Sequence, residues 1–211
     1  MYRDYAHTIV ITNRGLVQGD FFEQMERVIS LHPHAVILRE KDLTDEAYEK
    51  LAKRLLELCQ REGVSCFLHS RVSVARHLDC RKIHLSIPAL AAMEPSVRGN
   101  LRAYFQEISV SCHSMEDMEI AVKYGATQII LGTIFETECK KGLKGRGLAF
   151  VREICHACPV PVYAIGGINM ERLPLVIEAG AAGGCMMSGF MRYTQTVERS
   201  IIQGSQQTGI H

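Results

Sequence analysis

Residues 160–189 read VPVYAIGGINMERLPLVIEAGAAGGCMMSG, and this stretch decides the fold. An apolar run over 160–165 ends in Gly166-Gly167, and a helical stretch follows. A small-residue run over 181–187 then ends in Ser188-Gly189, with another helix behind it. Each unit therefore carries a β-strand into a turn made almost entirely of backbone. Glycine lets the main chain approach a ligand closely, and free N–H groups at a helix start attract an anion. Two such turns in succession, late in a βα repeat, form the phosphate grip that follows strands 7 and 8 of a (β/α)8 barrel. The spacing predicts a TIM barrel that handles a small phosphorylated molecule; two ordinary βα turns with glycine for tight geometry are the other reading.

Working outward, the same alternation fills the chain. Short β-rich runs at 7–12, 35–38, 65–68, 82–85, 108–111 and 128–131 alternate with segments of helical spacing at 21–31, 44–62, 72–78, 115–124 and 148–156. The helix at 44–62 opens on Thr44 as N-cap with Asp45 and Glu46 in its first turn and stops at Gly63; Ser114 and Asp117 form a capping-box-like start for the helix at 115–124. Pro88 and Pro95 break any long helix across 86–99. Strands in strict alternation with helices imply a parallel sheet, and about eight repeats favour closure into a barrel. No G-x-G-x-x-G follows the first strand, which weakens a flat doubly wound sheet. The expectation is one α/β domain over 1–203, a single (β/α)8 barrel, with a polar tail at 204–211.

Composition narrows the function classes. The 211 residues carry a formal net charge of +1, which argues against a nucleic-acid surface or a polybasic membrane patch. No apolar run approaches the ~20 residues that span a bilayer, and the first residues lack a signal-peptide core, so a cytoplasmic protein is expected. Eight cysteines in that compartment are expected to be reduced. Cys155-His-Ala-Cys158 has no second pair at zinc-site spacing and sits where a helix ends before Pro159, so it reads as structural. His32-Pro33-His34 reads as a loop.

In such a barrel, chemistry belongs to the C-terminal ends of the strands. That filter leaves Arg39-Glu40-Lys41, His69-Ser70-Arg71, Ser111-Cys112-His113, Thr133 with the loop behind it, and the two glycine turns. Arg39 and Lys41 share a face by strand alternation and suit a diphosphate or carboxylate, although a solvated turn paired with Glu40 fits the spacing equally. The loop over 132–147, with Thr137, Lys140, Gly142, Gly145 and Gly147, suits a lid over an anion. His69, His113, Glu136 and Cys139 are the groups able to move a proton, while His84 reads as a satisfied barrel residue. His113 has a second reading as a group that bonds the start of its own helix.

Four ordered motifs, LREK after the second strand, ISVSCHSMEDMEIAVKYGATQIILG, FETECKKGLKGRG, and VYAIGGI with AGAAGGCMMSG, together resemble the thiamin phosphate synthase/TenI superfamily over about 36–191. The resemblance implies a thiazole phosphate held by Gly166, Gly167, Met187 and Ser188, with Thr137 and Lys140 in the strand-6 loop. Of the two branches, synthases join a pyrimidine diphosphate to a thiazole phosphate with the help of Mg²⁺, and TenI-like tautomerases aromatise a thiazole carboxylate phosphate. A synthase typically has Gln where this chain has Ile37, Asn-Asp where it has His69-Ser70, and an acidic Gly-Gln-x-Asp segment where it has Ser86-Ile87-Pro88. Both metal carboxylates are then missing, and Mg²⁺ depends on oxygen ligands of that kind.

On this basis the expected function is a metal-free, cofactor-free thiazole tautomerase, an isomerase. Its acid/base would be His69, with His113 or Glu136 as substitutes, because tautomerases often carry His where this chain has Thr133. Arg39, Lys41, Ser111, Thr133, Thr137 and Lys140 would hold the substrate beside the phosphate turns. Two alternatives stand: a non-catalytic barrel that binds or senses such a phosphate, and a thiamin phosphate synthase. No nucleic-acid or membrane partner is expected, and a homo-oligomer is an inherited possibility.

Overall fold

The computed structural model describes residues 5–136 and 145–194. Thr137, Cys139 and Lys140 lie outside the described residues, as does the tail at 204–211. Eight parallel strands close on themselves in chain order: β1 (Thr8–Ile11), β2 (Ala35–Leu38), β3 (Ser65–His69), β4 (Lys82–Ser86), β5 (Glu107–Cys112), β6 (Gln128–Gly132), β7 (Val162–Ile165) and β8 (Gly183–Met186). The ring is completed by β1 pairing with β8 through Ile9↔Cys185. This is the (β/α)8 barrel that the alternation predicts.

Helices α1 (Phe21–Ile29), α2 (Asp45–Arg61) and α3 (Val72–His77) follow the first three strands. The Thr44 hydroxyl caps α2 by accepting from the Ala47 amide at 3.3 Å, as its sequence signature predicts. Where two prolines break the pattern after β4, the chain forms three short helices, α4 (Ile87–Ala91), α5 (Pro95–Gly99) and α6 (Leu101–Tyr104). Proline is tolerated in the first turn of a helix, so it subdivides this segment without unravelling it. Next come α7 (Met115–Lys123), α8 (Gly147–Ala157), α9 (Leu173–Glu178) and α10 (Ser188–Met191). Among the described residues, no helix is long and apolar enough to cross a membrane.

Strand alternation separates two apolar clusters. Val10, Val36, Leu38, Leu68, Leu85, Val110 and Leu131 face outward and pack under the helices. Ile9, Ile11, Ala35, Ile37, Phe67, Ile130, Tyr163 and Cys185 fill the barrel interior. Ile37 is thus an interior packing residue with no exposed surface. The interior plug closes the barrel below its C-terminal rim, so the residues just past β2, β3, β5, β6, β7 and β8 form the floor and walls of a mouth.

The C-x-x-C pair lies at the end of α8, where Cys155 is helical and Cys158 is the C-cap. Burial pushes the Cys155 thiol up to about 11, which keeps it protonated. All seven described cysteines are free. His32 and His34 are in the loop before β2, and the His34 ring stacks on Tyr163 at 5.1 Å, at the opposite end of the barrel from the mouth.

Candidate active site

The β2 end supplies two cations. Thr12, just past β1, accepts from the Arg39 amide at 2.9 Å and donates its own amide to the Ile37 carbonyl at 3.1 Å. The backbone that carries Arg39 is therefore pinned. Glu40 does not pair with its neighbours. It is 4 % exposed, and its carboxylate accepts from the Arg14 amide at 3.1 and 3.2 Å and pairs with the Arg14 Nε at 3.4 Å. Arg14 also holds Asp42 at 2.6 Å. Among the described residues, no carboxylate is left paired with Arg39 or Lys41.

His69 ends β3 directly beside these cations. Its amide donates to the Tyr48 hydroxyl at 2.9 Å, and that hydroxyl donates to the Leu38 carbonyl at 2.7 Å. Burial, reinforced by the charges of Arg39 and Lys41, lowers the imidazole from its ordinary value to about 4. His69 is neutral near pH 7, and its pKa lies well below that expected of an efficient general base there. Arg71, two residues on, is committed to Asp45 and to the Leu43 carbonyl.

Beneath His69, its ring 5.6 Å away, lies His84 in β4. His84 is 4 % exposed, and its two nitrogens meet serines of β5: Nδ1 at 2.8 Å from Ser109 Oγ and Nε2 at 2.9 Å from Ser111 Oγ. It is the satisfied barrel histidine the sequence suggests. Its bonds, however, connect the fully buried Ser109 to Ser111, a half-exposed residue of the mouth.

His113 is exposed, and its ring Nδ1 donates to the Gly132 carbonyl at 2.6 Å. The ring therefore anchors the end of β6, while its amide donates to Asp117 of the following helix at 2.7 Å. With Nδ1 protonated, the neutral ring presents Nε2 as an acceptor. Arg146, whose guanidinium lies 3.8 Å from the Phe150 ring centre, donates to the His113 carbonyl. The two ends of the 132–147 loop are tied together where the Arg146 amide donates to the Thr133 carbonyl at 3.0 Å. Glu136 is exposed at the edge of the described loop.

The glycine turns are close-packed against this loop. Gly166 has φ +101° and Gly167 φ +64°, conformations that favour glycine. A Cβ on Gly166 would collide with Thr133 Cγ2, and one on Gly167 would lie 2.8 Å from Phe135 Cβ and 2.9 Å from the Glu136 carbonyl oxygen. One sequence expectation needs correcting here. The β7 turn does not run straight into a helix, because residues 168–172 intervene before α9. After β8, the turn at Met187–Ser188 opens α10, which has only four residues. The helix dipole contributes little at such lengths, so an anion bound here would depend on the turn amides.

Three polar side chains of the mouth were not singled out from the sequence. Asn13 reaches Met187 Sδ at 3.9 Å, Arg172 donates to the Gly167 carbonyl at 2.9 Å, and Arg146 lies against His113. Asn13 directly follows a strand and its neighbour Thr12, so the strand-end filter could have found it. Arg146 and Arg172 sit far from strand ends in sequence and carry no such signal.

A divalent cation needs several oxygen donors converging on one point. Glu40 and Asp42 are taken by Arg14, and Asp45 by Arg71. Among the described residues, no three His, Cys, Asp or Glu side chains converge in this way. The described side chains do not fit a Mg²⁺ cage, and the cations at the β2 end have the charge to hold an anion.

The profile of the family described as thiamine monophosphate synthase matches residues 8–190. A thiamine-phosphate synthase of Bacillus mycoides is 35 % identical over 72 % of this chain and 69 % of its own length. One from Clostridium acetobutylicum is 27 % identical over 89 % of this chain and 88 % of its own. Among solved structures, the thiamine phosphate pyrophosphorylase from Pyrococcus furiosus superposes with a TM-score of 0.78 at 25 % identity, covering 97 % of this chain and 98 % of that one. From its first strand to its last helix, the chain belongs to the thiamine monophosphate synthase family.

Proposed function

We propose that the protein is a transferase of the thiamine-phosphate synthase type, joining a pyrimidine diphosphate to a thiazole phosphate with release of diphosphate. This replaces the thiazole tautomerase expected from the sequence. Relatives covering most of the chain are named as synthases, which overturns the isomerase reading. The departures at Ile37, His69-Ser70 and Ser86-Ile87-Pro88 bear on how the diphosphate is held, not on which reaction is run.

One observation carries the reading: among the described residues, Arg39 and Lys41 have no carboxylate partner at the β2 end, because Arg14 has claimed Glu40 and Asp42. Two unpaired cations beside the neutral imidazole of His69 and the hydroxyl of Ser111 suit a leaving diphosphate. As the bond to the diphosphate breaks, negative charge builds on its oxygens, and fixed positive charge there stabilises the transition state. The turns at Gly166-Gly167 and Met187-Ser188 would hold the thiazole phosphate on another sector of the rim, with Thr133 beside the first of them at the end of β6. Thr137 and Lys140, which lie outside the described residues, would contact the phosphate only as the sequence resemblance implies, and His113 and Glu136 would flank the thiazole side without a required proton transfer.

The test is to mix the protein with a pyrimidine methyl diphosphate and a thiazole phosphate and to follow released diphosphate and joined product. The expected result is stoichiometric formation of both, lost in the Arg39→Ala, Lys41→Ala double variant. Binding of both substrates with no diphosphate released would overturn the synthase and favour a barrel that only binds.

A further inference from the structure

Ser109, His84 and Ser111 form a hydrogen-bonded chain. It runs from the closed interior to the mouth through one imidazole, with hydroxyl oxygens 2.8 and 2.9 Å from the two ring nitrogens. Ser109 and His84 are buried, and among the three only Ser111, near the C-terminal end of β5, is partly exposed. A neutral imidazole has one N–H donor and one lone-pair acceptor, so the two serines cannot play the same role. Burial, with His69 and Arg39 nearby, lowers His84 to about 3 and keeps it in that neutral form.

Two arrangements are possible. With the proton on Nδ1, His84 donates to Ser109 and its Nε2 accepts a hydrogen bond from the Ser111 hydroxyl. Ser111 then turns lone pairs toward the mouth, which repels an anion. With the proton on Nε2, Ser109 donates to Nδ1 and His84 donates to Ser111. The Ser111 hydroxyl proton is then free to point at a ligand oxygen. Each bond in this second chain polarises the next, and an anion at its open end strengthens all of them.

We infer that His84 is a positioning residue whose Nε2–H tautomer turns the Ser111 hydroxyl into a donor for the diphosphate group at the mouth, and that anion binding selects this tautomer. The inference deepens the synthase reading and rests on it for the identity of the anion. It concerns the aim of a hydroxyl through a histidine that never touches the ligand.

The experiment uses the full chain with ¹⁵N-histidine labelling and inorganic diphosphate as the probe. Long-range ¹⁵N–¹H spectra separate a protonated from an unprotonated ring nitrogen for His84, assigned by its loss in His84→Gln. The expected result is a shift to the Nε2–H form at saturation. Ser111→Ala should weaken diphosphate binding about tenfold or more, the loss of one hydrogen bond to a charged group. Ser109→Ala, which never meets the ligand, should weaken it by about two- to fourfold through the relay alone and release the tautomer preference. A saturated complex that keeps the proton on Nδ1 would overturn this inference and leave the synthase untouched. A protein that fails to bind diphosphate at all would overturn both.

Discussion

The hydroxyl of Tyr48 donates to the Leu38 carbonyl at 2.7 Å and accepts from the His69 amide at 2.9 Å, so one buried group on α2 clamps the ends of two neighbouring strands. Arg39 follows Leu38 directly. The clamp therefore sets how the β2 cations face His69. Burial raises the phenol far above its usual value, so it stays a donor at any working pH. Tyr48→Phe removes both bonds and leaves a buried carbonyl and amide unpaired. The expected loss is ~1–3 kcal/mol of stability, visible as a fall of several degrees in thermal midpoint. Diphosphate affinity should fall with it; an unchanged affinity in a folded variant would separate the clamp from the anion site.

The lowered pKa of His69 is a report on its two cationic neighbours. Burial is the larger cause, so Arg39→Ala should raise the imidazole from about 4 only part of the way to 6.5. Diphosphate binding to the unaltered protein should move it the same way, since added negative charge favours the imidazolium. Titration by NMR reads both changes. A His69 pKa that ignores the substitution and the ligand would place the two cations elsewhere.

Stability should depend on pH with a defined sign. The unfolded chain protonates His69 and His84 near 6.5, whereas the folded protein resists until about 4 and about 3. Between those limits the unfolded state binds more protons, so stability falls as pH drops from about 6.5 toward 4. Each histidine contributes at most about 1.4 kcal/mol per pH unit in that window. Burial lowers His34 as well, which adds in the same direction. Melting curves from pH 7.5 to 4.5 should show the fall, and His69→Asn should flatten part of it. An equal slope in the variant would count against a buried neutral His69.

The fold was legible because hydrophobic alternation and glycine punctuation are local signals. Thr44, Ser114 and Gly63 mark helix ends through interactions within a few residues, and the structure places those ends accordingly. Gly166-Gly167 and Ser188-Gly189 likewise announce strand-to-turn transitions without reference to the rest of the chain. The site was only half legible. That Arg39 and Lys41 have no carboxylate partner among the described residues depends on Arg14, more than twenty residues away in sequence, claiming Glu40. The roles of Tyr48 and His84 arise only when strands close into a ring. Choosing a reaction from missing carboxylates failed for a related reason: the identity of single side chains such as His69 and Ser70 weighed less than the likeness over most of the chain to relatives named as synthases.

Because fixed cations occupy the β2 end and the nearby carboxylates are committed, diphosphate binding should survive chelation. With EDTA present, affinity for inorganic diphosphate is expected to stay within about twofold of its value in Mg²⁺, whereas Lys41→Ala should weaken it by about tenfold, and Arg39→Ala by more, in line with charged hydrogen bonds. Calorimetry in the two buffers decides it. Loss of binding on chelation would mean that a metal, not Arg39 and Lys41, holds the anion.

The turn after β7 gives the sharpest local test. Gly167 sits at φ +64°, and a Cβ there would lie 2.8 Å from Phe135 Cβ and 2.9 Å from the Glu136 carbonyl oxygen. A side chain in the left-handed region costs ~1–2 kcal/mol by itself. Neither neighbour is the far end of a flexible side chain, so the turn must also shift. Its amides would then leave the position that faces the phosphate, and the Arg172 bond to the Gly167 carbonyl would break with them. Gly167→Ala should therefore abolish measurable binding of the thiazole phosphate while inorganic diphosphate, held at the β2 end, still binds within about threefold. Gly99→Ala, in α5 and outside both proposed anion sites, is the control. Nothing lies within 4 Å of a Cβ there, so both ligands should bind as before. Equal loss of both ligands in Gly167→Ala would show that the mouth holds one anion site where two are proposed.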